Sequence, residues 1–449
     1  MTDRRFWGIT ASQAFWLILA ALAWFIESYD IGLMSVVLLP FKQLFHLTGS
    51  DTGLLVASAA VGIVIGVVPS GFLADRLGRK RLLIASLIWY SLLTFVTGFA
   101  PGWQVVLLLR FFAGLGLGAM FPLPYTLLAE LSPKQARGRV AGILDAFLSV
   151  GYFAAPLVGG WIMGTTGLLT GWRILFFLGG IGLVYAGILG VWLPESPRWL
   201  RSQGRGAEAE LILAKIGSEA REEIESVTLD RPPRRPYRVV FSRGYRRRTV
   251  MLWIAFPSIL FVFYAIMNFM PTILSKEHIT GPLVLEFAAL IMAASVPGKF
   301  FEAWVVERVG RKPVIVGFTL IAAAAALLFP AARSTLMIVG MGMVLAFFGV
   351  AVDPAVKIYT AEQYPTAIRG TGVGLAEGMA RLLGGALAPY IMAVMLSSSG
   401  IRGSFVFVAA VACFGALAVA VLGRETKGQV LEERKVGERV LVGSASAGL

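Results

Sequence analysis

The chain has 449 residues, of which 57% are hydrophobic and only 15% charged. A soluble domain carries about 25% charged residues, so the composition points to the membrane. The net charge of +14 would suit a nucleic-acid binder, but the Lys and Arg residues lie between apolar runs and mostly on one side of them, which excludes that class. A single cysteine, Cys413 in the last apolar run, excludes an intramolecular disulfide and a thiolate metal cluster.

A helix needs about 20 apolar residues to cross a bilayer. The first run, 13–40, is predicted as span 1 and carries two acids, Glu27 and Asp30. It is too long for a cleavable signal. Span 2 (51–74) runs from its Gly71 into Asp75-Arg76-Leu77-Gly78-Arg79-Lys80. Spans 3 (82–100) and 4 (103–129) follow; span 4 holds Arg110 and then Gly114, Gly116 and Gly118, and leads to Glu130, Pro133 and Arg137-Gly138. Span 5 (140–164) carries Asp145, and span 6 is 172–193.

Residues 194–248 form a long polar connector. Within it, Ala207 to Ile216 reads as a short amphipathic helix, and Pro232-Pro233 as a break. Six more runs follow at 249–274, 282–306, 313–331, 334–360, 371–396 and 403–422. The sequence then repeats itself. Glu307-Arg308-Val309-Gly310-Arg311-Lys312 follows the Asp75 block at an offset of 232 residues, and Glu362, Pro365 and Arg369-Gly370 follow Glu130, Pro133 and Arg137-Gly138 at the same offset. Two blocks at one offset imply two halves of one architecture, with a substrate site between them. The expected units are a six-helix bundle at 1–193, a cytoplasmic connector with short surface helices at 194–248, a second bundle at 249–423 and a tail at 424–449.

With the N-terminus inside, the inner segments hold 31 Lys and Arg and the outer loops 5. The positive-inside rule then places both termini in the cytoplasm, with the basic patches against anionic headgroups; a plasma (inner) membrane is the expected location.

Gly71-x-x-x-Asp75-Arg76-x-Gly78-Arg79-Lys80 resembles the loop signature of the major facilitator superfamily. Arg110-Phe111 with its following glycines, Pro194-Glu195-Ser196-Pro197-Arg198-Trp199-Leu200 and Glu425-Thr426-Lys427-Gly428 resemble its sugar-porter and organic-ion branches, although Arg424 stands where the family usually has Pro. The resemblance implies an all-α membrane protein of twelve transmembrane helices in two pseudo-symmetric six-helix bundles. It also implies a conformational gate that holds the halves together on the inner side in the outward-facing state. Its residues would be Gly71, Asp75, Arg76, Gly78, Arg79, Glu130 and Arg137, with Glu307, Arg308, Gly310, Arg311, Glu362 and Arg369 in the second half. Asp75 is expected to pair with nearby arginines or to cap a neighbouring helix.

Ionisable groups inside a span cost roughly 2.5–3.5 kcal/mol on insertion scales and are functional candidates by default. Asp30 and Arg110 lie at similar depth from the outer face, so they are expected to pair, with Glu27 one turn away as a proton relay. Proton-coupled sugar porters, by resemblance, pair an acid and an arginine in these places. Asp145 and Glu377 correspond under the repeat, and Asp353/Lys357 and Glu377/Arg381 are i,i+4 pairs that share a helix face. Glu286, Lys299 and Glu302 lie towards the ends of span 8 and are expected to snorkel. Both histidines fall in outer loops, which argues against a histidine relay.

The sugar branch carries a Gln-Gln pair and an Asn in span 7, where this chain has Ser258-Ile259 and Tyr264; Asp145 replaces the span 5 glutamine. The neutral pairs that polyols need are missing. An arginine at the place of Arg381 resembles organic-anion, aromatic-acid and nicotinate carriers, and an arginine can hold a carboxylate through two parallel hydrogen bonds. The expected function is proton-coupled symport of a small, aromatic or compact monocarboxylate. Arg381, Lys357, Asp145, Tyr264, Asn268, Asp353 and Glu377 are the candidate substrate-binding residues, with Phe263, Phe347, Phe348 and Tyr359 as possible stacking partners. A sugar or polyol symporter, a drug or metabolite exporter and a non-transporting nutrient sensor remain alternatives. No nucleotide loop, metal-ligand cluster or nucleophile–base pair marks an enzyme, no cofactor is expected, and the protein is expected to act as a monomer with a small molecule and protons as its partners.

Overall fold

Thr10 starts the first helix with a reciprocal cap, its side chain accepting from Gln13 N while the Gln13 side chain accepts from Thr10 N. Thr48 and Asp51 do the same at the start of the second. The computed structural model describes residues 9–133, 136–166, 168–216, 236–281 and 283–427. Arg137 lies within them, but its side chain does not, nor do Pro232-Pro233, Gly428 or most of the tail.

Twelve helices among the described residues are long and apolar enough to cross a bilayer. Spans 1 to 6 are Ala11–Leu44, Gly49–Leu77, Arg79–Thr97, Trp103–Leu131, Val140–Thr166 and Gly171–Trp192. Spans 7 to 12 are Arg246–Lys276, Leu283–Val309, Arg311–Ala331, Thr335–Glu362, Ile368–Ser398 and Gly400–Leu422. Each overlaps its predicted run. Their outward faces carry large apolar side chains such as Trp161, Val184, Val191 and Leu336, each more than 70% exposed, as lipid contact requires. Among the described residues between spans 6 and 7, three short helices lie at Pro197–Ser202, Gly206–Leu213 and Pro236–Val240.

The two halves repeat each other in detail. Gly78 joins spans 2 and 3 at φ +100°, and Gly310 joins spans 8 and 9 at φ +112°. A Cβ at Gly78 would strike the Glu195 carboxylate, and one at Gly310 the Glu425 carboxylate. Gly78→Ala and Gly310→Ala are each expected to cost at least 1–2 kcal/mol, roughly the penalty of the left-handed backbone alone. Unchanged thermal unfolding of both variants in detergent would contradict this account. Spans 2 and 4 approach so closely that a Cβ on Gly62, Gly66, Gly114 or Gly118 would meet the backbone of the opposite helix.

Several spans are interrupted at mid-depth. Span 4 breaks at Phe121 before Pro122, span 8 at Ala294, and span 10 between Gly349 and Asp353. In span 11 the helix widens to i→i+5 bonding over Arg381–Leu387, a distortion common at functional sites. Asp353 and Arg381 each stand at the first residue of such a piece.

The halves meet along spans 1 and 7, 2 and 11, and 5 and 8. The start of span 2 closes on the end of span 11, where Gly53 faces Tyr390 and Gly49 faces Ser397. At the other end, where Asp75 and Glu307 lie, the halves part around a cavity of 460 Å³.

Candidate functional site

The open cavity is walled by Val68, Gly71 and Asp75 of the first half and by Gly370, Gly374 and Gly378 of the second. At its closed end it reaches Glu377 and Arg381, which also border a narrower cleft of 30 Å³ lined by Phe121, Tyr152, Tyr264 and Lys357. Most of the candidate residues converge on this junction.

Arg381 is 6% exposed. Its guanidinium lies 3.6 Å from the centre of the Phe121 ring, and its Nη2 donates to Glu377 Oε1 at 2.9 Å. Its Nε has no partner. Span 11 therefore presents a cation fixed by an aromatic face and one carboxylate, with donor capacity left over. Lys357 is held by Asp353 at 2.7 Å on its own helix and faces Asp145 of the first half at 3.5 Å. Tyr264 and Phe263 line the cleft, as the sequence suggested, and Phe263 packs on Tyr152 across the halves at 5.3 Å between centroids.

Other candidates are elsewhere. Asn268 is buried, donates to Tyr264 O one turn back, and lines neither cavity. Phe347 and Phe348 pack against Phe301 and Phe318. Tyr359 donates its hydroxyl to Arg424 O at 2.8 Å. Phe121 and Tyr152 were not singled out from the sequence; the proline that follows Phe121 was the available signal for the first.

Asp30 and Arg110 come together as expected. Arg110 Nη1 donates to Asp30 Oδ2 at 2.9 Å and to Oδ1 at 3.0 Å, and Thr94 Oγ1 donates to Oδ1 at 2.7 Å. Both residues are almost fully buried. Glu27 is fully buried too, yet neither of its carboxyl oxygens has a hydrogen-bond partner. Arg381, Asp30 and Lys357 lie within electrostatic reach of it.

The expectation that Lys299 and Glu302 snorkel is wrong. They are 7% and 2% exposed, and Lys299 Nζ donates to the Asp145 carbonyl at 3.1 Å. Span 8 breaks at Ala294, and its second piece packs on span 5, which turns both residues inward. Distance along a helix shows depth, not the face a side chain occupies. Glu286 is exposed, as snorkelling requires.

At the open end the charged motifs form two matching networks, each within its own half. Asp75 pairs with Arg79 at 2.9 Å, Arg79 approaches Glu130 at 3.8 Å, and Ser196 Oγ donates to Glu130. Glu307 pairs with Arg311 at 3.2 Å, Arg311 with Glu362 at 3.3 Å, and Thr426 Oγ1 donates to Glu362. Arg369 donates to Tyr364 O at 3.3 Å. Arg76 and Arg308 cover the rings of Phe72 and Trp304 at 4.4 and 3.7 Å.

The helix-capping role considered for Asp75 falls to other residues. Asp75 is 71% exposed at its side chain, whereas Glu195 accepts from Lys80 N and Ser196 N at 3.0 and 2.8 Å. Glu425 does the same for span 9, accepting from Arg311 N and Lys312 N at 3.0 Å each, and also from Thr426 N and Lys427 N. Partial burial pushes the Glu425 carboxyl up, but these amide donors outweigh it and hold the group below the usual carboxylate range. The signal was present, since each acid follows the sixth helix of its half by a few residues.

Comparison with known proteins adds three findings. The family model described as sugar (and other) transporter matches residues 16–436. The niacin transporter of Acinetobacter baylyi is 32% identical over 422 residues, covering 93% of this chain and 94% of that protein. The cis,cis-muconate transport protein of the same organism is 29% identical over 401 residues, with 88% and 90% covered. The xylose transporter of E. coli, in a partially occluded inward open conformation, shares the fold, with a TM-score of 0.77 at 19% identity over 94% of this chain and 100% of that one.

Proposed function

The chain belongs to the sugar (and other) transporter family of the major facilitator superfamily, a multi-pass membrane transporter and not an enzyme, and on that premise we propose that it imports a small organic monocarboxylate together with a proton. The observation that carries this reading is Arg381. It sits at the closed end of an open cavity, stacked on Phe121, with an unpartnered Nε. A planar carboxylate entering there meets a guanidinium that can donate two bonds and aromatic rings from Phe121, Tyr152 and Tyr264. The names of the niacin and muconate relatives, whose named substrates carry one and two carboxylates, favour a carboxylate substrate. A sugar is disfavoured because Ser258 donates to Ile254 O and Asn268 to Tyr264 O, each within its own helix.

In this mechanism Asp30 takes up the proton when Arg110 moves away from it, and Glu27 passes the proton towards the cleft. Arg381 and Lys357 hold the carboxylate while the halves, residues 1–193 and 249–423, rock about the site. The paired networks at the Asp75 end act as the gate. The Lys- and Arg-rich end, with the connector at 194–248, the tail and both termini, faces the cytoplasm, and one chain suffices for transport.

Uptake of labelled nicotinate, benzoate, muconate and xylose into proteoliposomes, with and without an inward proton gradient, tests the reading. Gradient-driven accumulation of a carboxylate is expected; xylose uptake alone would sink it. Gradient-driven expulsion would reverse the direction and favour the exporter.

Alternating access also explains four glycines. Gly71, Gly370, Gly374 and Gly378 line the cavity with nothing within 4 Å of a Cβ placed on them. Their small size matters only when the walls meet. Gly374→Trp is expected to keep substrate binding while slowing transport by an order of magnitude or more, roughly the cost of blocking a closure step. Wild-type transport by this variant would show that the walls do not close there.

A further inference from the structure

Lys299 has no part in the mechanism above, yet it is a buried cation at the seam between the halves. Asp145 of span 5 is approached from the second half by two lysines. Lys357 Nζ lies 3.5 Å from its Oδ1, and Lys299 Nζ lies 3.1 Å from its main-chain carbonyl. Lys357 is also bonded to Asp353 at 2.7 Å. The other charges around Lys299 are Asp353, Lys357 and Glu302. Glu302 is 2% exposed, and its Oε1 has no partner.

We propose that Lys299 is a positioning residue for substrate binding, a reserve cation that neutralises Asp145 when a substrate carboxylate draws Lys357 away. The argument begins with Asp145, which is 4% exposed. A buried carboxylate stripped of its cation is strongly destabilised, so Lys357 alone cannot serve both Asp145 and a ligand. Lys299 already touches Asp145, but at a neutral carbonyl. A lysine reaches through a flexible four-carbon stem with rotatable donors, and a change of its torsions carries Nζ from the carbonyl to the carboxylate of the same residue. The exchange trades a neutral acceptor for a charged one as Lys357 leaves. Because Lys299 is on span 8 and Asp145 on span 5, the halves stay tied while the ligand is bound.

The test has one arm that needs no ligand and one that rests on the carboxylate reading. In the first, thermal unfolding of the full-length protein in detergent is compared for Lys299→Met, Lys357→Met, both together, and both with Asp145→Asn. Either lysine suffices for Asp145, so Lys299→Met alone is expected to shift the midpoint slightly, and Lys357→Met by more because it also leaves Asp353 without its 2.7 Å partner. The double change should lower it by clearly more than the two shifts added, and Asp145→Asn should remove that excess, leaving the part due to Asp353. Additive shifts, a double variant whose excess loss Asp145→Asn does not remove, or outright misfolding of Lys299→Met alone would overturn the relay.

In the second arm, labelled nicotinate binding is expected to weaken roughly tenfold or more in Lys299→Met, to stay near the parent in Lys299→Arg, and to recover in Lys299→Met/Asp145→Asn. Unchanged affinity in Lys299→Met overturns the positioning role. If the parent protein binds no carboxylate, the substrate reading fails, and the ligand-free arm still decides whether the two lysines share Asp145.

Discussion

Arg381→Ala is expected to weaken carboxylate binding by about 100-fold, the usual scale for truncating one partner of a buried charge contact, and to abolish measurable uptake. Arg381→Lys should recover little of it, because an ammonium cannot reproduce two parallel donors or lie flat on Phe121. The control is Glu377. Removing Arg381 also leaves Glu377 without its 2.9 Å partner, and an unpaired carboxylate could itself distort the site. The Arg381→Ala/Glu377→Gln variant separates the two effects. Binding that stays weak in the double variant, with normal protein yield, assigns the loss to the missing ligand contact. Binding that returns would show that Arg381 only neutralises Glu377.

Asp30→Asn is expected to abolish gradient-driven accumulation while sparing exchange of substrate across the membrane. The amide keeps the shape of the side chain and the hydrogen bond from Thr94, but it cannot take up and release a proton. Net uptake should then run only to equilibration, and its pH dependence should vanish. Glu27→Gln provides the comparison. If Glu27 relays the proton, accumulation falls there as well; if accumulation survives in Asp30→Asn and is lost in Glu27→Gln, the roles assigned to the two acids are exchanged. Retained accumulation in both variants would remove span 1 from the coupling. Flow-dialysis binding and counterflow, measured beside uptake, distinguish these cases from a protein that has merely lost its fold.

The architecture was legible because it depends on one-dimensional quantities. Twelve apolar runs of bilayer length, a charge bias between loops and two blocks at a single offset are properties of order along the chain, and the structure places a helix on each run. The Asp30–Arg110 pair was legible for the same reason, since helix rise converts residue number into depth. The i,i+4 pairs Asp353/Lys357 and Glu377/Arg381 followed from helical spacing alone, and both form.

What the chain order left open is the direction each side chain faces and the partner it meets across the bundle. Lys299 and Glu302 have the sequence context of snorkelling residues, yet the break at Ala294 and the packing of span 8 on span 5 bury them. Asp145 pairs with Lys357 over 212 positions of chain, a contact no local pattern encodes. Phe121 of span 4 becomes a platform for Arg381 of span 11 at 3.6 Å, a contact between residues 260 positions apart. Glu195 and Glu425, not Asp75, cap spans 3 and 9. Depth and periodicity are set by the backbone of a single helix, whereas azimuth and partnership are set by how twelve helices pack, and the charges at the centre of this protein take their roles from that packing.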